Sequence, residues 1–462
     1  LALISCERWK DGIVMTVEGM RVLRHASLAP SIFVEASRPA GGEGRARWRS
    51  AGACEIVNEG RDLTVLRFRG LFSVRICYRE RILSFTFSPE GDFSGRLRLK
   101  LGAIRGEKIL GAGPHAAYDL KGTKLTLPAA LAGGGEAREP IFFSTRGPWL
   151  WLRGNTAATW HFGQKITEIT CDSLPGSLAM GFGKEPASRM ALLTGYRAEI
   201  ARPGKGRARL PAELQAGPVI DVESAGEAIA GAAFLRTADG FAPATIADAA
   251  AWKRTLSEAA AREIPLGQAV PGGAAGIVAA LLSLSLAGEG NAFAAAAGPG
   301  TGASPETASA ALDMAVFGPL FLIKGNFAGA GEAGLRSLAV AAKLYESLKP
   351  YREHCSTLWA ECGIPVLSHP ALAYPDEEKL WDRSDQYLFG KDILVAPGAT
   401  DRDGTRRLEL PNDDWIHLWT SRHYPAGTTV VHAPAGRPAV FYRASSEFAP
   451  LFDALRQKAA RL

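Results

Sequence analysis

The acidic residues that could act as a general acid, base or nucleophile are Asp313, Glu289 and the neighbours Asp382 and Asp385. A carboxyl does such work only where its surroundings tune its pKa and a substrate comes within hydrogen-bond reach. Asp313 precedes an apolar run, Glu289 sits on a Gly-rich turn, and Asp382 and Asp385 stand in a short polar segment. Each reads as a surface charge, cap or turn residue. His161 and His417 lie beside aromatic residues and read as packed or surface imidazoles. Lys324 and Arg336 are the cations that could meet an anionic group, although Lys offers a point charge without fork geometry. Trp415 and Trp419 read as packing between sheets, with sugar stacking as the alternative.

The six cysteines, Cys6, Cys54, Cys77, Cys171, Cys355 and Cys362, form no Cys-x-x-Cys pair and no metal-ligand spacing with histidine. Cys355 and Cys362 fall two turns apart on an expected helix, about 10 Å by helical rise, too far for a disulfide. Free thiols point to a reducing compartment, so the expected location is the cytoplasm. Gly111-Ala112-Gly113-Pro114-His115-Ala116 spells a dinucleotide fingerprint, but Pro114 and the lack of a βαβ setting argue against it. No catalytic, cofactor-binding or metal-binding residue is therefore assigned, no cofactor is expected, and substrate-binding residues remain unassigned.

Those side chains must be held by a sizeable scaffold. The chain has 462 residues, 47% hydrophobic and 22% charged, enough for two to four domains. Its net charge of +6 is spread without a basic block, and no zinc finger, basic helix or aromatic-basic motif marks a nucleic-acid partner. The most apolar window, Gly272 to Leu286, is broken by Ser283 and Ser285 and ended by Glu289, so no membrane span is expected. Leu1-Ala2-Leu3, with Glu7, Arg8 and Lys10 close behind, does not read as a secretory signal.

Arg96-Leu97-Arg98-Leu99-Lys100-Leu101 alternates strictly, which predicts a strand with leucines on one face and cations on the other. Leu71 to Tyr78 and Arg81 to Phe87 are similar runs joined by a short charged turn. With Gly and Pro clusters between such runs, residues 1–245 read as a β-sandwich. Ile246 to Glu263 is Ala-rich and reads as helix, and Glu332 to Cys362 as a long helix or pair broken near Pro350. Residues 365 to 445 return to short strands, and Phe448 to Arg461 closes as an amphipathic helix.

The tail carries a more specific pattern. Gly363-Ile364-Pro365-Val366, Tyr374-Pro375-Asp376, Asp385 to Pro397 (DQYLFGKDILVAP), Leu410 to Thr420 (LPNDDWIHLWT) and Pro434 to Ala444 (PAGRPAVFYRA) follow one another in order. Together they resemble the C-terminal domain of glycoside hydrolase family 31, the α-glucosidase superfamily, and most closely its sulfoquinovosidase branch. Ile109 to Pro114 with Tyr118-Asp119-Leu120-Lys121-Gly122 is similar to a segment of that family's galactose-mutarotase-like β-sandwich, with Pro114 where the family has Glu. The resemblance implies three parts. They are a mutarotase-like β-sandwich at 1–245, a remnant of a (β/α)8 barrel, mostly helical, at 246–364, and a β-sandwich with a closing helix at 365–462. The fold class is mainly β with an α/β remnant.

The same resemblance exposes what is missing. Retaining α-glycosidases set two carboxyl groups roughly 5–5.5 Å apart, and the family's segments for both are not found here. The chain passes from Ile264-Pro265 to Gly272-Gly273-Ala274 within a few residues. The family's Asp in S-D-I-G-G falls on Ala295, and its R-x-H after F-x-P-M-M falls on Leu322-Ile323-Lys324. The expected function is a non-catalytic relative that binds a sugar, a sulfoquinovoside or α-glucoside, or scaffolds a partner. The alternative is an active α-glycosidase, working as a split enzyme with a partner. The implied partners are a sugar ligand and either a second copy of the chain or a complete glycosidase, since apolar surface bared by a lost barrel must be covered.

Overall fold

The computed structural model describes residues 4–35, 47–60, 63–112, 118–127, 139–201, 203–212, 215, 218–220, 244–245, 263–264, 273–325, 330–398 and 403–461. The chain divides into two compact units. One comprises 1–112 with 119–192, the other 113–118 with 193–462.

The first unit is antiparallel β-structure. An eight-stranded sheet runs in the order 109–111, 141–144, 149–153, 177–181, 82–89, 72–79, 63–68, 55–60. A six-stranded sheet runs 124–127, 158–162, 166–171, 97–102, 32–35, 48–50, and a third sheet holds 4–9, 12–17 and 20–25. The alternating segment forms the strand Leu97–Gly102, with Leu97, Leu99 and Leu101 buried and Arg98 and Lys100 on the other face, 3.6 and 3.7 Å from Glu168 of the neighbouring strand. Those leucines share one core with Val74, Ile76 and Phe85 of the larger sheet. Strands 72–79 and 82–89 are joined by Glu80 and Arg81, both at positive φ, the two-residue geometry that matches strand twist.

The second unit opens with a parallel sheet, in the order Ala244–Thr245, Val219–Ile220, Leu322–Lys324, Ala296–Ala297, with a further parallel bridge from Glu263 to Phe293. Helices Pro305–Val316 and Gly331–Ser347 follow the strands at 296 and 322, so the βα alternation of a barrel is present. Because Val219–Ile220 and Ala244–Thr245 pair into this sheet, residues 193–245 join the second unit, and the division falls near Leu192 instead of at 245. The Ala-rich segment expected as helix, 246–262, lies outside the described residues. Helix Gly273–Leu286 is apolar on nearly all sides and is correspondingly buried, with Ile277, Leu281, Leu282 and Leu286 fully enclosed. The expected break near Pro350 is real. Gly331–Ser347 ends at Leu348, and Lys349–Cys362 begins with Pro350 in its first turn, where a missing N–H costs nothing.

After Gly363 the chain builds a six-stranded sheet, 367–368, 387–389, 393–396, 439–443, 415–417, 423–424, and the hairpin 405–410 with 427–432. Helix Ala449–Ala459 closes it, burying Phe452 and Leu455 against a core that also takes in Tyr351, Tyr345 and Leu281. The described residues of 263–364 and of 365–461 thus share one core. The order read from sequence, an antiparallel β-sandwich, an α/β segment and a C-terminal β-sandwich with a closing helix, is the order observed.

Candidate functional site

In a β/α barrel, chemistry sits at the C-terminal ends of the parallel strands. Here the strand Ala296–Ala297 is preceded by Ala292, Phe293, Ala294 and Ala295, all buried, with Ala295 fully enclosed. In the strand Leu322–Lys324, Leu322 and Ile323 are buried and Lys324 is half-buried. Lys324 Nζ donates to Glu263 Oε2 at 2.7 Å, with both side chains about a quarter to a third exposed. Glu263 is the carboxylate that meets the strand Leu322–Lys324, and Lys324 neutralises it. Glu263 was not singled out from sequence; its partner lies 61 residues away.

The other acidic residues separate by environment. Glu289 is buried and accepts from Arg197 Nη2 at 3.0 Å, while Arg197 also donates to the carbonyl of Ala287, so the carboxylate clamps a helix end. Asp385 is ion-paired with Arg383 at 2.8 Å and Arg406 at 3.2 Å, while Asp382 is exposed at the end of a short 3-10 turn. The sequence reads each of these as a surface charge, cap or turn residue; Asp382 is exposed, whereas Glu289 is buried in an ion pair. Asp313 is different. It is 5% exposed, its Oδ2 accepts from the backbone N–H of Gly398 at 3.3 Å, and burial pushes its carboxyl up to about 7.

His161 faces out of its strand, and His417 is buried with Nδ1 2.8 Å from Thr420 Oγ1. Burial pulls His417 down to about 4, which keeps it neutral. Trp415 is fully buried, its Nε1 donating to the carbonyl of Pro411. Trp419 is half-buried, with its ring edge-on to Phe317 and Nε1 donating to the carbonyl of Pro438. Pro114 lies outside the described residues, but Tyr118 stacks on His369, whose other face meets Trp381.

The structure does bring three of the singled-out residues together. Asp313, Arg336 and Trp419 line a cavity of about 1100 Å³ with Arg437, between helices Pro305–Val316 and Gly331–Ser347 and the loop 434–438. Lys324 is not among them. No group of three His, Cys, Asp or Glu side chains stands together as metal ligands among the described residues. No described helix is long and apolar enough to cross a membrane.

The tail motif has a structural explanation at each position that can be followed. Gln386 holds two strands together, donating to the carbonyl of Glu409 at 2.6 Å and accepting from its N–H at 2.9 Å. Gly390 has φ +60°, and a Cβ there would meet Tyr351 Oη and Cys355 Sγ at 2.5 Å. Tyr351 Oη in turn donates to the carbonyl of Phe389 at 2.8 Å and accepts from Asp392 N–H at 3.0 Å.

Comparison with known proteins agrees with this reading. Residues 363–446 match the Glycosyl hydrolase family 31 C-terminal domain. A sulfoquinovosidase of Escherichia coli (strain K12) is 42% identical over 113 residues, 24% of this chain and 17% of that one. A sulfoquinovosidase of Agrobacterium fabrum (strain C58) is 38% identical over 127 residues, 27% and 19% of the two chains. The aligned part thus spans less than a fifth of the length of these curated relatives. Among solved structures, a family 31 sulfoquinovosidase from E. rectale superposes with a TM-score of 0.75 at 16% identity, covering 98% of this chain and 99% of that one. An α-xylosidase of the same family from a soil metagenome reaches a TM-score of 0.58 at 13% identity, covering 97% and 100%. At such identities the likeness is one of fold. The chain is thus similar to the family 31 glycoside hydrolases, matching their C-terminal domain at 363–446 within a fold that follows a sulfoquinovosidase of that family over nearly its whole length.

Proposed function

We propose that this chain is a degenerate family 31 relative that binds a carbohydrate, of the sulfoquinovoside or α-glucoside class, without hydrolysing it. The observation that carries the reading is the state of the strand ends. Ala295 stands fully buried where the family resemblance implies Asp, Leu322 where it implies Arg, and Lys324, where it implies His, is bound to Glu263. A retaining mechanism needs two carboxyls, one nucleophilic and one able to give and take a proton. Glu263 has Oε2 engaged by Lys324 Nζ at 2.7 Å, and one carboxyl cannot fill both roles.

Two further readings belong to the same proposal. The parallel sheet has four strands and one bridge among the described residues, where a closed barrel needs eight. A homo-oligomer or a complex with a complete glycosidase belongs to the same proposal, since apolar surface bared by a shortened barrel must be covered. All six thiols are unpaired, which supports a reducing compartment, the cytoplasm.

The test is a chromogenic panel of α-glucoside, α-xyloside and α-sulfoquinovoside at high protein concentration, run beside calorimetric titration of the parent sugars. The expected result is binding of a sugar without release of the chromophore. Turnover abolished by one carboxylate substitution would overturn the non-catalytic reading, and failure of every sugar to bind would overturn the carbohydrate reading.

A further inference from the structure

We infer that the cavity beside Asp313 is a binding site for an organic ammonium, a ligand with one protonated amine on an apolar body. The site reaches the end of the strand Ala296–Ala297 through Ala297, Gly298 and Pro299, and it does not rest on the carbohydrate reading. Its volume, about 1100 Å³, accommodates a small organic molecule. Its walls are the apolar faces of two helices, contributing Leu312, Val316, Val340 and Leu344, closed on one side by the indole of Trp419.

Asp313 is the buried polar group in this lining. It sits on the same helix face as Phe317, four residues on, whose ring meets Trp419. Its one hydrogen bond comes from Gly398 N–H, and no Lys, Arg or His lies within ion-pair distance among the described residues. The charged and titratable groups on the elements packed around it are few. Tyr387, from strand 387–389, donates its hydroxyl to the carbonyl of Phe317 at 3.1 Å. Glu332 and Arg336 of helix Gly331–Ser347 are exposed at the cavity mouth, 3.9 Å from each other, and Arg437 is exposed in the loop 434–438. None of these supplies the counter-charge that a buried carboxylate requires, and burial therefore raises the carboxyl to about 7.

Ligand chemistry follows from that lone demand. An anion would meet the carboxylate of like charge. A polyhydroxylated sugar would place most of its hydroxyls against alanine, valine and leucine, where each loses a water without gaining a partner. An amine on an apolar body has one polar end, which donates to Asp313, and its charge supplies what the protein omits. The apolar remainder fills the helix groove, and the Trp419 ring is placed to meet a cation or an aromatic body.

The test titrates the full chain calorimetrically with benzylamine and with its neutral isostere benzyl alcohol. Benzylamine should bind about tenfold tighter at pH 8 than at pH 6, because Asp313 must shed its proton between the two. Benzyl alcohol should bind more weakly and without pH dependence. Asp313→Asn keeps an acceptor for Gly398 and should melt normally, yet lose the amine preference and the pH slope. Ser309→Trp, which fills the cavity from a half-buried wall without touching the carboxyl, should abolish binding of both probes. Equal affinity for amine and alcohol, an unchanged pH slope in Asp313→Asn, retained binding in Ser309→Trp, or no binding of either probe at millimolar concentration would each overturn the assignment. None of these results bears on sugar binding, which is measured separately.

Discussion

The C-terminal β-domain and the parallel strand ends belong to the same unit, but the family match covers the first and not the second. They have diverged in opposite ways. In the β-domain three motif residues hold the fold: Gln386 bridges strands, Gly390 admits Tyr351 and Trp415 ties itself to Pro411. At the strand ends the positions that would carry chemistry hold Ala295, Leu322 and Lys324, and the backbone around them is as well packed as any core. Packing residues and ligand-holding residues are thus separable. On the proposed non-catalytic reading, the fold keeps the first set, which each neighbour requires, without the second, because packing does not require a catalytic carboxyl.

Substitutions on each side test that separation. Trp415→Ala should cost about 3–5 kcal/mol in urea unfolding, since it opens a void in a closed core and leaves the carbonyl of Pro411 without its donor. A loss below about 1 kcal/mol would mean that the tail motif does not hold the domain. Ala295→Asp, which restores the family's residue type, should destabilise by about 3 kcal/mol, because it places a charge in a fully enclosed alanine site. A neutral result would show that the strand ends keep room for a carboxyl, and the contrast between the two regions would fail.

The two regions were also unequally legible in the sequence. The strict alternation of Arg96 to Leu101 and the break at Pro350 are local signals, and both appear where expected. Val219–Ile220 and Ala244–Thr245 could not be seen, because two residues show no period; the first pairs with a strand that begins at Leu322, a hundred residues on, and the second pairs with the first. Asp313 read as a surface or cap residue for the same reason. The backbone that buries and contacts it is Gly398, 85 positions away. The cavity that unites Asp313, Arg336 and Trp419 is a property of three elements meeting, which spacing along the chain does not encode.

Acid separates the regions further. His417, in the β-domain, has its pKa depressed by burial to about 4 from an ordinary 6.5. A depressed base contributes stability that is present above pH 6.5 and lost as pH falls through the folded value, here on the order of 2 kcal/mol. Asp313 acts in the opposite sense. Its raised carboxyl contributes stability that is fully present below 3.8 and lost as pH rises through about 7. Comparing wild type with His417→Asn from pH 7 to pH 4 cancels the Asp313 contribution, and the variant should lose less stability on acidification. Parallel curves would show that the imidazole is not kept neutral by its burial.

The smallest effect is expected at the strand ends. Lys324 and Glu263 meet at 2.7 Å, but both remain about a quarter to a third exposed, so water screens the pair and can solvate either partner left alone. Lys324→Met should therefore change unfolding free energy by less than about 1 kcal/mol, and a double-mutant cycle with Glu263→Gln should return a coupling of the same small size. A coupling above about 3 kcal/mol would place the pair in the class of buried ion pairs that the surrounding structure depends on. The strand ends would then be held by charge as the β-domain is held by hydrogen bonds. Replacement of the family's polar groups at these ends would be a refitting of the interior, not a loss left unrepaired.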